Sequence, residues 1–221
     1  MSASLTVAEG RERTVLVWDL VIRAFHWSLA LAFAVAYLTE DGPLALHVWA
    51  GYLVGGLLVL RLVWGFVGPK HARFSDFLFG PFAALRYLVD LLQGRARRYL
   101  GHSPAGAAMV FALLVVLAGV VGSGLQLYAI EDKAGPLAGV TAAAPLPMPV
   151  ASARAQEEDE GTEVGEAARE GAGDWWEETH ELLANLALVL VILHIAGVVV
   201  ASLAHRENLA RAMVTGYKRA E

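Results

Sequence analysis

The chain has 221 residues, 57% of them apolar, and a formal net charge of −5. Several apolar runs approach the roughly 20 residues a helix needs to cross a bilayer, so an integral membrane protein is expected rather than a soluble domain with one large core. Cysteine is absent, which excludes disulfides, iron–sulfur clusters, zinc–thiolate sites and cofactor attachment through C-x-x-C-H.

Residues 1–14 are polar, carry both Glu and Arg, and lack the small-residue cleavage site of a secretory leader. They read as a disordered arm. A first span is expected from about Leu20 to Thr39, with Arg23 and His26 in its opening turns and Trp18 and Trp27 at interfacial positions. The turn Glu40-Asp41-Gly42-Pro43 ends it. A second span, about Leu46 to Val67, opens with His47, carries Gly51, Gly55 and Gly56, and closes with Arg61 and Trp64. A Gly51/Gly55 stripe suits tight helix packing, or the approach of a flat ligand to the backbone.

Residues 68–102 leave the membrane. Leu78 to Gln93 alternate apolar residues with Arg86 and Asp90 at helical spacing, after Pro81 near the start, so an amphipathic helix lying in the interface is expected. Ser103 as cap and Pro104 at the first helical position start a third span, which runs to about Ile130. The Ala-, Gly- and Pro-rich, acidic stretch from 140 to 173 reads as a disordered linker. Trp175 and Trp176 then open a fourth span that ends near His205, followed by a short basic tail. The expected organisation is an arm (1–14), three spans with the interfacial helix (15–139), the linker (140–173), and the fourth span with its tail (174–221).

Lys and Arg are concentrated in residues 1–23, 61–104 and 205–221. By the positive-inside rule both termini and the middle loop are cytoplasmic, in the inner (plasma) membrane of a bacterium. The fold class is therefore an all-α membrane protein: a four-helix transmembrane bundle with a cytoplasmic amphipathic helix between helices two and three.

His180 and His194 stand fourteen residues apart on the fourth span. Helical geometry separates them by roughly 21 Å along the axis yet returns them to within about 40° of one face. Imidazoles inside a membrane are by default functional. The topology sets His47 level with His180 and His26 level with His194. Two such pairs suit two b-type haems, each iron held by two imidazoles, an arrangement without an open position that favours electron transfer over oxygen chemistry. A small residue stands about one turn from each: Ala30, Gly51, Ala184 and Gly197. Arg23, Arg61 and Arg73 are candidates to meet haem propionates. His71, His102 and His205 receive structural or interfacial roles, His205 as an imidazolium at a helix C-terminus.

The histidine pattern, the loop WGFVGPKHARFSDF, the HSPAG start of the third span, the GPLAG after it and the closing HELLANLALVLVILHIAGVVVASLAHRENLARAMVTGYK resemble the bacterial cytochrome b561 family, which is similar to the b-type cytochrome subunits of nickel–iron hydrogenases. The resemblance covers about residues 15–219 outside the linker. It implies a di-haem b protein of the respiratory chain that exchanges electrons between a redox partner and membrane quinone, with His26, His47, His180 and His194 as axial ligands. Thirteen acidic residues fall between Glu131 and Glu181, against three basic ones. Such a field favours a basic c-type cytochrome on the periplasmic side and disfavours superoxide. The alternatives are a membrane-anchoring relay subunit of a hydrogenase or other respiratory complex, and a superoxide:ubiquinone oxidoreductase. Lipid and quinone complete the expected partners; nucleic acid is not among them, and a homodimer is compatible with the sequence. The quinone position is open between the cytoplasmic end, near His26, His194 and the third-span start, and the periplasmic side near Asn185 and Gln126.

Overall fold

The computed structural model describes residues 13–80, 82–141 and 161–220. In chain order the elements are β1 (Thr14–Leu16), α1 (Leu20–Leu38), α2 (Leu44–Val67), α3 (Ala83–Leu92), α4 (Pro104–Glu131), α5 (Ala138–Thr141), α6 (Gly161–Ala204), α7 (Leu209–Thr215) and β2 (Tyr217–Arg219). Two short 3-10 turns, Lys70–Ala72 and Phe74–Asp76, lie between α2 and α3. Helices α1, α2, α4 and the Gly171–Ala204 part of α6 are long and apolar enough to cross a membrane. Large apolar side chains stand outward along them, among them Leu31, Trp49, Val115 and Ile192, as lipid-facing helices require. The protein is a multi-pass helical membrane protein.

The helix starts are chemically defined. Asp19 Oδ1 accepts the backbone N–H groups of Val21 (2.8 Å) and Ile22 (3.2 Å) at the head of α1, and Ser103 Oγ accepts that of Gly106 at 3.2 Å at the head of α4. Both satisfy N–H groups that a first helical turn leaves unpaired. The amphipathic helix expected over 78–93 is realised as the ten residues of α3, with Tyr87 turned inward.

The chain divides into two compact units, one of residues 1–27, 60–109 and 194–221, the other of residues 28–59 and 110–193. The first unit has a core of Val17, Trp18, Ile22, Ala72 and Ala212, with Trp64 and Met213 against it. The second packs Ala32, Val54, Leu58, Leu117 and Ala187, with Ala187 wholly buried. Alanine at such points lets helix backbones approach closely.

The tail carries more structure than its composition announced. Asn208 caps α7 by accepting from Arg211 N at 2.7 Å, and Gly216 closes it at φ +88°. A side chain there would be strained, and its Cβ would come within 2.7 Å of the Trp18 carbonyl oxygen. Strand β2 then pairs antiparallel with β1, Thr14 opposite Arg219. Arg98 donates to Glu207 at 2.8 Å and Lys218 lies 3.6 Å from the same carboxylate, so an ionic clasp joins this tail to the loop before α4. Helix α6 begins at Gly161 and takes in residues 161–173, which composition assigned to the linker. The Ala and Glu in that stretch are good helix formers once a stable span continues them. Residues 1–12 of the expected arm and 142–160 of the expected linker lie outside the described residues.

Candidate functional site

Each unit contains one pair of histidine rings. In the second unit His47, in the first turn of α2, and His180, on α6, have ring centres 6.0 Å apart with planes at 73°. His47 Nδ1 lies 2.9 Å from the Ala36 carbonyl oxygen. His180 Nδ1 lies 3.0 Å from the Val120 carbonyl oxygen, and 3.0 Å from Ser123 Oγ, whose hydroxyl donates to the same carbonyl. A carbonyl only accepts, so both Nδ1 atoms carry a proton, which leaves Nε2 as the lone-pair atom of the neutral ring. This is the tautomer of a metal-ligating histidine, with Nδ1–H held by a backbone carbonyl.

The ring of His180 is confined as well as oriented. A Cβ on Gly124 would fall 2.9 Å from its Cε1 and 3.3 Å from its Nδ1, so only glycine leaves the imidazole where it is. By contrast, a Cβ on Gly51, one turn after His47, would meet nothing within 4 Å. Gln126 Oε1 is buried without a hydrogen-bond partner. Asn185 accepts from the Tyr37 hydroxyl at 2.9 Å.

In the first unit His26, on α1, and His194, on α6, have ring centres 6.2 Å apart with planes at 52°. His26 Nδ1 is buried without a hydrogen-bond partner. Arg23 donates through Nη1 to the Thr215 carbonyl oxygen at 2.7 Å, and its buried Nε has no partner. Arg61 is 4% exposed and lies over the Phe74 ring, 4.6 Å from its centre, with Nη1 unpartnered. Among the described residues no carboxylate forms an ion pair with it. Asp19, whose charge acts on Arg61, is engaged with the α1 cap and, at 3.4 Å, with Trp64 Nε1.

Of the other residues singled out by sequence, Arg73 donates through Nε to the Gly68 carbonyl oxygen at 2.7 Å. His71 Nδ1 pairs with Asp76 at 3.0 Å. His205 is not the imidazolium expected of a helix end: it follows α6, its Nε2 lies 3.2 Å from the Tyr87 hydroxyl, and burial, then Lys218 and Arg98, push its pKa down. His102 packs against Phe77 (4.2 Å between ring centres) and Trp18 (4.8 Å). Burial first, then the charges of Arg61 and Lys218, push it down to about 3; it is neutral, with Nδ1 unpartnered. Ala30 and Gly197 are exposed and Ala184 half-buried on their helices.

The donor set suits a b-type haem. Two imidazoles bound to one metal from opposite sides have ring centres about 6 Å apart, given metal–nitrogen bonds of about 2 Å. Both pairs meet that distance. Each pair offers two nitrogen donors, and a porphyrin would supply the remaining four. The open space beside Gly51 and the unpartnered nitrogens of Arg23, Arg61 and His26 fit the same group. Sequence reasoning missed Ser123, Gly124 and the carbonyls of Ala36 and Val120. The available signal was the small, partly polar run Gly122-Ser123-Gly124 within an apolar span.

Fold and site together define a class: a multi-pass helical membrane protein with paired, oppositely placed imidazoles. The chain belongs to the prokaryotic cytochrome b561 family, whose model matches residues 17–216. Two similar proteins, from Azotobacter vinelandii and Azotobacter chroococcum mcd 1, are named probable Ni/Fe-hydrogenase B-type cytochrome subunit; each is 26% identical over 164 residues, 58% of this chain and 68% of the relative. One of the same name from Rhizobium leguminosarum bv. viciae is 25% identical over 133 residues, 47% of this chain and 55% of the relative. No solved structure matches the chain significantly. The protein is thus a membrane haem b electron-transfer cytochrome.

Proposed function

We propose that the protein binds two haem b groups, one between His26 and His194 and one between His47 and His180, and passes electrons between membrane quinone and a redox partner. The paired rings carry this reading: centres 6.0 and 6.2 Å apart, with carbonyl-bound Nδ1 atoms in one pair. The haem supplies one-electron redox chemistry when bound. The protein's own groups do the rest. Ala36 and Val120 fix two imidazole tautomers, Gly124 leaves room for the His180 ring, Gly51 would leave room for a porphyrin, and Arg23 and Arg61 would donate to haem carboxylates. Four imidazole ligands leave no open position, which directs the protein to electron transfer.

The Lys and Arg distribution supports cytoplasmic termini. The quinone head group is proposed to bind in the first unit, where His102 stands neutral with a buried, unpartnered Nδ1. For the redox partner, the names of the relatives favour a catalytic subunit of hydrogenase type. A c-type cytochrome is the second reading, favoured by the exposed acidic side chains Glu131, Asp132, Asp174, Glu177, Glu178 and Glu181. The same field disfavours superoxide as donor.

The experiment is anaerobic mixing of the oxidised, purified protein with a short-chain quinol. The expected result is appearance of the reduced b-type bands at a rate that rises with quinol concentration. A protein reduced by dithionite but inert to every quinol would refute the quinone assignment. Co-purification of a large catalytic subunit, or of a c-type cytochrome, separates the two partner readings.

A further inference from the structure

The loop that follows α2 forms an open polar cavity of about 380 Å³ lined by Lys70, Arg73, Ser75 and Asp76. None of the four belongs to the proposed haem sites. Two short turns hold the cavity in shape: Ala72 N and Arg73 N donate to the Pro69 carbonyl oxygen at 2.9 and 3.2 Å, and Asp76 N donates to the Arg73 carbonyl oxygen at 3.1 Å. Ala72, 1% exposed, roots the first turn in the core of its unit. Arg73 Nε donates to the Gly68 carbonyl oxygen at 2.7 Å, which fixes the plane of the guanidinium. Its two terminal nitrogens, Lys70 Nζ and Ser75 Oγ have no protein partner among the described residues. Asp76, the one acid in the lining, has Oδ2 engaged by His71 Nδ1 at 3.0 Å. Gly101 passes so close to that pair that a Cβ on it would lie 3.0 Å from the His71 nitrogen.

The lining thus presents unused donors, and its two cations outweigh its one carboxylate by a single positive charge. A phosphate diester, with one negative charge and oxygens that only accept, complements it. A phosphate monoester, at about −1.5 to −2, exceeds it. The chain on either side is apolar and outward: Phe66 and Val67, which end α2, are 74% and 69% exposed, and Leu78 beyond the cavity is 75% exposed. Cations just past the end of a membrane span meet the headgroup layer. We propose that this cavity binds a singly charged phosphate group, held by Lys70, Arg73 and Ser75. The apolar flanks make its source an anionic phospholipid diester rather than soluble phosphate. Arg23 and Arg61 are the arginines proposed for haem carboxylates, so this role of Arg73 leaves that reading intact, and neither depends on the other.

The test is native mass spectrometry of the full, haem-loaded chain released from non-ionic detergent after titration with dioleoylphosphatidylglycerol, dioleoylphosphatidylcholine or inorganic phosphate. The expected result is a first phosphatidylglycerol bound about tenfold more tightly than the first phosphatidylcholine, with inorganic phosphate neither binding nor competing. Lys70→Glu has no side-chain partner to lose and should abolish that preference while the haem spectrum and melting temperature stay unchanged. Arg97→Glu makes the same change of charge on an exposed cation outside the cavity and should keep the preference. Inorganic phosphate that displaces the lipid, in wild type but not in Lys70→Glu, would retain the phosphate site and overturn the lipid as its source. Equal affinity for the two lipids in wild type, a preference that survives Lys70→Glu, or an equal loss in Lys70→Glu and Arg97→Glu overturns the proposal.

Discussion

Gly124→Ala adds one methyl group where the structure leaves no room for it. The new Cβ would lie 2.9 Å from His180 Cε1 and 3.3 Å from Nδ1, so the ring must swing away by several tenths of an ångström. That motion lengthens the 3.0 Å contact with the Val120 carbonyl and turns Nε2 from its line. Disturbing such an outer partner typically costs 10- to 100-fold in metal affinity, about 1.4 to 2.8 kcal/mol. The backbone effect runs the other way, because alanine favours a helix over glycine by about 1 kcal/mol. The helix should therefore be no less stable while one haem binds 10- to 100-fold more weakly. Haem titration of the apoprotein, followed by visible absorption, reads this as one unchanged and one weakened phase. Gly122→Ala is the control: its Cβ meets nothing within 4 Å, and both phases should stay. Equal haem affinity in Gly124→Ala and wild type would refute the claim that α4 fixes the His180 ring.

Glu207→Gln removes the carboxylate shared by Arg98 and Lys218, whose side chains are 23% and 4% exposed, and should cost about 3 kcal/mol because two cations lose their counter-charge. In the folded protein burial raises the Glu207 pKa, but the Arg98 hydrogen bond and the Lys218 and Arg98 charges outweigh it and hold it below its ordinary value of 4.5. The stabilisation is thus complete above 4.5 and lost as pH falls through the lowered value; melting curves of wild type and variant should differ at pH 7 and converge below it. Gly65→Ala would drive a Cβ into the Phe74 ring that carries Arg61, and overpacking of this kind costs about 1 to 3 kcal/mol; an unchanged denaturation midpoint would contradict it.

The four spans were legible because a bilayer demands long apolar runs, and the start of the third because Ser103-Pro104 carries specific capping chemistry; the Asp19 cap of α1 was not read. The pairing of His26 with His194 and of His47 with His180 was legible for a similar reason. The expected orientation rests on Lys and Arg, and helix rise then gives the relative levels. What escaped was information held by backbone atoms. The Ala36 and Val120 carbonyls that select the imidazole tautomers have no sequence signature, and Gly124 is one glycine among several on its helix. The clasp of β1 with β2 also escaped, since three-residue strands leave almost no periodic pattern and the buried Lys218 reads in sequence as an ordinary tail cation. His205 shows the same limit: a helix-end histidine suggested a charged ring, and burial, then the neighbouring cations Lys218 and Arg98, push its pKa down instead.

The central claim is that four histidines hold two haems in fixed pairs. Pyridine haemochrome analysis of wild type and of the four single variants His26→Ala, His47→Ala, His180→Ala and His194→Ala tests it most directly. The account predicts about two haems per chain in wild type and about one in each variant. It also predicts that His26→Ala and His194→Ala share one residual spectrum, and His47→Ala and His180→Ala the other. Retention of both haems in any of the four, or spectra that pair the variants differently, would contradict it.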